Sequence, residues 1–111
     1  MLNYSDIGDS LRALADPTRG MIVERLSRGP ATVSDLARPF TLTMAAIVQH
    51  IQVLEGVGIV ASHKTGRVRT CRLEPRGLAP LAAWIEQRRA LVERQLDRLA
   101  HFLDDEDKDS T

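Results

Sequence analysis

The sequence predicts a mainly helical domain carrying one small β-hairpin. Three observations point there. Apolar residues recur at helical spacing in several short segments and one long one. The period changes from 3.6 to 2 between residues 59 and 73, around a glycine. At 111 residues, 43% of them apolar and 27% charged, the chain is long enough for one ordinary core and too ordinary in composition for a fibre or a wholly disordered segment.

The first helix is expected over 5–15, with Ile7, Leu11 and Leu14 at i, i+4 and i+7 of one face. Asp16-Pro17 ends it and starts the second. A carboxylate at the N-cap accepts orphan N–H groups, and proline at the first helical position has no N–H to leave unpaired. Met21, Ile22, Val23 and Leu26 form the apolar side of this second helix, and Gly29-Pro30 stops it. Thr32-Val33-Ser34-Asp35 has the form of a capping box for a third helix, which Pro39 limits to about two turns. Thr43 caps a fourth, 44–57, with Ala46, Ile47, His50, Ile51, Leu54 and Val57 on one side. Its opposite face, Met44, Ala45, Val48, Gln49 and Gln52, is small, polar and uncharged.

Residues 59–63 and 67–73 read as two strands flanking Lys64-Thr65-Gly66, with Gly66 supplying the positive φ of the turn. Arg67, Arg69, Arg72 and Lys64 make this hairpin cationic. A long last helix is expected from near residue 79, because Pro80 fits only a first turn, to about 103. At about 37 Å it is longer than one small domain can cover, so part of its apolar stripe is expected to pack on a second copy of the chain. The domain is therefore expected over 1–103, with Asp104 to Thr111 as an acidic disordered tail.

The order helix, helix, helix, helix, hairpin, long helix fits a winged helix-turn-helix, whose second motif helix can enter the major groove of DNA. Charge agrees with that reading once it is divided. The 15 Lys+Arg and 15 Asp+Glu cancel overall, but residues 1–16 carry −2, residues 17–76 carry +5 and residues 77–111 carry −3. A basic middle between acidic ends is the pattern of a chain with one anion-facing segment. Thr43 can meet a phosphate at a helix N-terminus, while Gln49 and Gln52 suit an adenine edge. Met44, Ala45 and Val48 suit thymine methyls, and Lys64, Arg67 and Arg69 suit phosphates or the minor groove. For any one of these residues a solvated face or an aggregation-resistant edge is the plainer explanation; their order along the chain favours DNA.

The stretches Ala13 to Arg19 (ALADPTR), Val33 to Ala37 and Ala46 to Val60, with Gly66-Arg67, resemble the ArsR/SmtB family of winged-helix transcriptional repressors over roughly residues 7–100. The resemblance implies a cytoplasmic homodimer built on its first and last helices, here through Ile7, Leu11, Trp84, Leu91, Leu96, Leu99 and Phe102. It also implies a palindromic operator and release by an inducer, whose identity is left open. The chain departs from the family's metal sensors. Val33-Ser34-Asp35-Leu36 lacks their Cys-x-Cys, and Asp97 and His101 stand without a second Asp/His pair, so no metal or cofactor is expected. Val48 stands where many relatives have serine, so the operator cannot be copied from them.

His50 is expected to be a structural histidine bonded to a carbonyl, the lone cysteine, Cys71, a buried spacer, and Trp84 a core or interface residue. A single cysteine excludes an internal disulfide, and no apolar run approaches the ~18 residues of a membrane span. No phosphate loop, carboxylate pair or nucleophile–base ordering points to an enzyme. Two alternatives stay open: a winged-helix module whose fourth helix binds a protein, and a repressor released by a metal or small ligand.

Overall fold

The computed structural model describes residues 4–109, and side chains over 6–106. The elements are α1 (Tyr4–Ala15), α2 (Pro17–Leu26), β1 (Ala31–Thr32), α3 (Val33–Ala37), α4 (Met44–Gly56), β2 (Val60–Thr65), β3 (Val68–Leu73) and α5 (Pro75–Asp109). The chain divides after Leu81 into two units. The first holds α1 to β3 and the opening turns of α5; the second is the remainder of α5.

In the first unit, helix starts are set by side-chain caps. Asp16 Oδ2 accepts from the Arg19 amide at 3.1 Å ahead of Pro17, Thr32 Oγ1 accepts from Asp35 N at 3.1 Å, and Thr43 Oγ1 accepts from Ala46 N at 3.1 Å. Each such cap contributes about 1 kcal/mol. Glu74 opens α5 in the same way. Its Oε1 accepts from the Arg76 amide at 3.4 Å, and its carbonyl accepts from Gly77 and Leu78.

This places the start of α5 at Pro75, four residues before the expected position. Pro75 serves as the first helical residue, and Pro80 lies inside the helix at the cost of one missing N–H bond. At the other end the expected stop near residue 103 is also corrected. The helix continues through the acidic segment to Asp109, since no glycine or proline beyond Pro80 interrupts it. Residues 110–111 of the expected tail lie outside the described residues.

The sheet has three antiparallel strands in the order β1-β3-β2, so the hairpin is joined by a strand that the sequence did not announce. Ala31 pairs with Cys71 and Thr32 with Thr70. Two residues are too few to carry a period. The hairpin turn is also tighter than expected: Thr65 pairs with Val68, leaving Gly66 (φ 62°) and Arg67 as a two-residue turn and Lys64 within β2. Glycine at the first central position with positive φ matches the twist of the flanking strands.

The core joins Ile22 and Leu26 of α2, Leu36 of α3, Ile47, Ile51 and Leu54 of α4, Ile59, Val60 and Cys71. The α4 side follows the expected stripe. On α1 the buried line is Ile7, Ser10 and Ala13, while Leu11 is 39% exposed, so the inward face is rotated from the expected 7-11-14 line. Met21 likewise faces outward at 52% exposure. Gly58 (φ 79°) follows α4, and a methyl group built on Gly77 would overlap its carbonyl, so the first turn of α5 rests on the α4–β2 connection backbone to backbone.

In the second unit, α5 carries Ile85, Leu91, Val92, Leu96, Leu99, Phe102 and Leu103 along one broad stripe, all about half exposed or more. Arg88 Cζ sits 4.7 Å from the centre of the Trp84 ring, and Trp84 Nε1 is shielded from solvent with no hydrogen-bond partner among the described residues. No described helix is long and apolar enough to cross a membrane.

Candidate nucleic-acid interface

The exposed face of α4 is aimed by contacts on its buried side. Arg19, at the start of α2, donates from Nε to the Ala13 carbonyl at 2.6 Å and from Nη2 to the Arg12 carbonyl at 3.4 Å. Its Nη1 lies 3.2 Å from His50 Nδ1 on α4. A guanidinium only donates, so Nδ1 accepts and the ring proton is on Nε2. The expected carbonyl partner of His50 is thus replaced by a cation that also ties down the C-terminus of α1. Asp16, whose Oδ2 accepts from the Arg19 amide, completes the knot. Its carboxyl is held below the ordinary range, chiefly by the hydrogen bond from the Arg19 amide.

With α4 held in this way, the hairpin closes one side of an open groove lined by Thr32, Val33 and Ser34, by Met44 and Val48 of α4, and by Lys64, Arg67, Val68 and Arg69. The groove therefore brings together five of the nine sequence-predicted contact residues: Met44, Val48, Lys64, Arg67 and Arg69. Gln52 lies in an adjoining hollow with Val48, Glu55 and Arg69. Thr43, Ala45 and Gln49 are exposed along α4 but line neither space. Strand alternation explains the cationic wall. Val60, Ser62 and Lys64 of β2 share one sheet face with Leu73, Cys71 and Arg69 of β3, and that face turns from core to groove along its length.

Sequence reasoning missed Ser34 and Val68 as groove residues, and Ser62, which hydrogen-bonds to both Glu55 and Arg69. Ser34 was legible as an exposed position in the first turn of a capped helix. Val68 was hidden because it directly follows the turn, which the sequence placed at 64–66 rather than at 66–67.

Cys71 is fully buried opposite Ser62 and Ala31. Burial, followed by the charge of Glu55, pushes its thiol above the usual value, which disfavours the reactive thiolate. Asp97 and His101 are exposed on α5, and the described residues contain no group of three or more His, Cys, Asp or Glu side chains placed to hold a metal ion. Of the expected dimer residues, Ile7 is only 3% exposed and so presents little surface to a second chain; Leu11, Leu91, Leu96, Leu99 and Phe102 are exposed and Trp84 is half-buried.

Residues 14–63, which hold the α2–α3–α4 segment and the start of the hairpin, match a helix-turn-helix domain family. The chain is 36% identical over 110 residues to the HTH-type transcriptional regulator Rv2034 of Mycobacterium tuberculosis, covering 99% of this chain and 100% of the relative. Among solved structures it is similar to an ArsR family transcriptional regulator, RHA00566, at 44% identity and a TM-score of 0.74, covering 84% of this chain and 97% of that one. It shares its fold, at 18% identity and a TM-score of 0.60, with the homodimeric winged helix-turn-helix DNA-binding domain of Mb0332 from Mycobacterium bovis, over 85% of this chain and 84% of that one.

Proposed function

Because the chain belongs to the ArsR/SmtB family of DNA-binding transcriptional regulators and is not an enzyme, we propose that it is a repressor that binds a palindromic operator as a homodimer. In this reading α4 enters the major groove and the β2–β3 hairpin lies on the flanking backbone. The observation that carries it is the groove itself. Three cations of the hairpin, Lys64, Arg67 and Arg69, stand across from the uncharged face of α4, an arrangement suited to a phosphate chain beside a row of base edges.

Within that arrangement each residue has a role its chemistry supports. The Thr43 oxygen is occupied by the Ala46 amide, but its hydroxyl hydrogen and the free N–H groups of the first turn of α4 remain to meet a phosphate. Gln49 and Gln52 present paired donors and acceptors to an adenine, and Met44, Ala45 and Val48 present apolar contacts to thymine methyls. Homodimerisation is supported by the apolar stripe of α5, which has no cover within its own unit, and by the homodimeric state of the M. bovis domain of the same fold.

Selection of bound fragments from random duplex DNA tests the proposal. An inverted repeat with half-sites about one helical turn apart is expected. Recovery of fragments with no shared repeat would contradict it.

A further inference from the structure

We propose that Arg69 is a pre-set DNA-backbone contact belonging to α4 rather than to the tip of the hairpin, and that Ser62 and Glu55 are the positioning residues that hold it there. The inference rests on the DNA-binding reading above.

Ser62 Oγ donates to Glu55 Oε1 at 2.8 Å and accepts from Arg69 Nη1 at 2.9 Å. A hydroxyl has one hydrogen and two lone pairs, so both bonds form at once. The relay runs from the last turn of α4, across β2, to β3. Its geometry follows from the register: Ser62 faces Cys71 and Lys64 faces Arg69, which makes Ser62 and Arg69 diagonal neighbours on one sheet face, within reach of a long side chain. The arginine is consequently drawn toward α4, where it borders the hollow containing Val48 and Gln52. Arg67, in the turn, has no comparable tether among the hydrogen bonds of the described residues.

Two consequences favour a ligand role. A guanidinium has five donors, and only one is committed to Ser62 while the side chain stays exposed, so a free edge remains for a phosphate. Holding the side chain in place beforehand also spares the rotamer entropy that binding would otherwise cost. Glu55 matters for a second reason. It is the only Asp, Glu, Lys or Arg within α4, and without Arg69 beside it that carboxylate would repel the backbone α4 approaches.

The test measures affinity for the selected duplex across a salt series with Arg69→Ala, Ser62→Ala, Ser62→Thr and the double variant Ser62→Ala/Arg69→Ala, each confirmed folded by circular dichroism. Arg69→Ala should weaken binding about tenfold and reduce the salt slope by about 0.9 per subunit. Ser62→Ala should weaken it about three- to tenfold with the slope unchanged, because the charge is still present but no longer pre-set. Ser62→Thr keeps the hydroxyl and should restore affinity, and Ser62→Ala should add nothing when Arg69 is already alanine. An equal effect of Ser62→Ala in both backgrounds, or an Arg69→Ala protein with unchanged affinity and slope, overturns the inference while leaving DNA binding intact. A wild-type protein that binds no duplex overturns the DNA reading, and this inference with it.

Discussion

Nη1 of Arg19 lies 3.2 Å from Nδ1 of His50, across 31 residues of sequence, and this contact fixes α4 to the junction of α1 and α2. Because the same guanidinium serves two carbonyls of α1, its loss strands several partners together. Arg19→Ala should destabilise the fold by about 1–3 kcal/mol in urea unfolding, the range for leaving partly buried acceptors unpaired. Arg19→Lys should not rescue it, since an ammonium cannot present the same fork. Wild-type stability in either variant would show that the knot is dispensable.

The glycine pair makes a sharper contrast. A side chain at Gly77 overlaps the Gly58 carbonyl, whereas one at Gly56 meets open space. Gly77→Ala should cost at least the ~1–3 kcal/mol of overpacking, as backbone must move rather than a side chain. Gly56→Ala, at a helical position without positive φ, should be neutral or stabilising by up to about 1 kcal/mol. Thermal melts of the two variants decide the matter by their opposite signs.

Acid sensitivity should arise at helix starts. Asp16 is held below the ordinary carboxylate range by the Arg19 amide, Asp35 by its hydrogen bond with the Thr32 side chain, and Glu74 by Arg72 and the Arg76 amide. A carboxyl lowered in the folded chain adds stability that is fully present above its unfolded value, near pH 4, and is lost as pH falls through the folded value. Stability should therefore decline below about pH 4. Asp16→Asn retains a capping acceptor without the titration, so it should flatten that decline. An acid limb of unchanged slope would count against this assignment.

The α5 stripe calls for a test of assembly. Replacing Leu96 and Phe102, 58% and 60% exposed, with glutamate should leave each chain folded and convert the proposed dimer to monomer in sedimentation velocity. Operator affinity should fall with it, because each half-site would then be bound singly. A double variant that remains dimeric would move the interface elsewhere.

What could be read in advance followed from local rules. The caps at Asp16, Thr32 and Thr43 and the buried side of α4 depend on residues within one or two turns, and each lies where the pattern placed it. The two-residue strand β1 exists only because β3 lies beside it, and no short-range signal announces a partner some forty residues away. The α1 face was misjudged for a related reason: buried Ser10 and Ala13 are weak apolar signals, while exposed Leu11 is a strong one. The groove residues of α4, Met44 and Val48, were legible because they lie off the buried Ile47-Ile51-Leu54 stripe of that helix. The tether of Arg69 depended on hairpin register, which the displaced turn concealed.

In the proposed complex the hairpin and α4 jointly grip the DNA backbone, and the salt dependence of duplex binding measures that grip. With about four phosphates neutralised per subunit, log K for the dimer should fall against log salt with a slope near −7. Lys64→Ala and Arg67→Ala should each reduce that slope by about 0.9 per subunit. A flat salt response, or a slope untouched by removing these cations, would contradict the account.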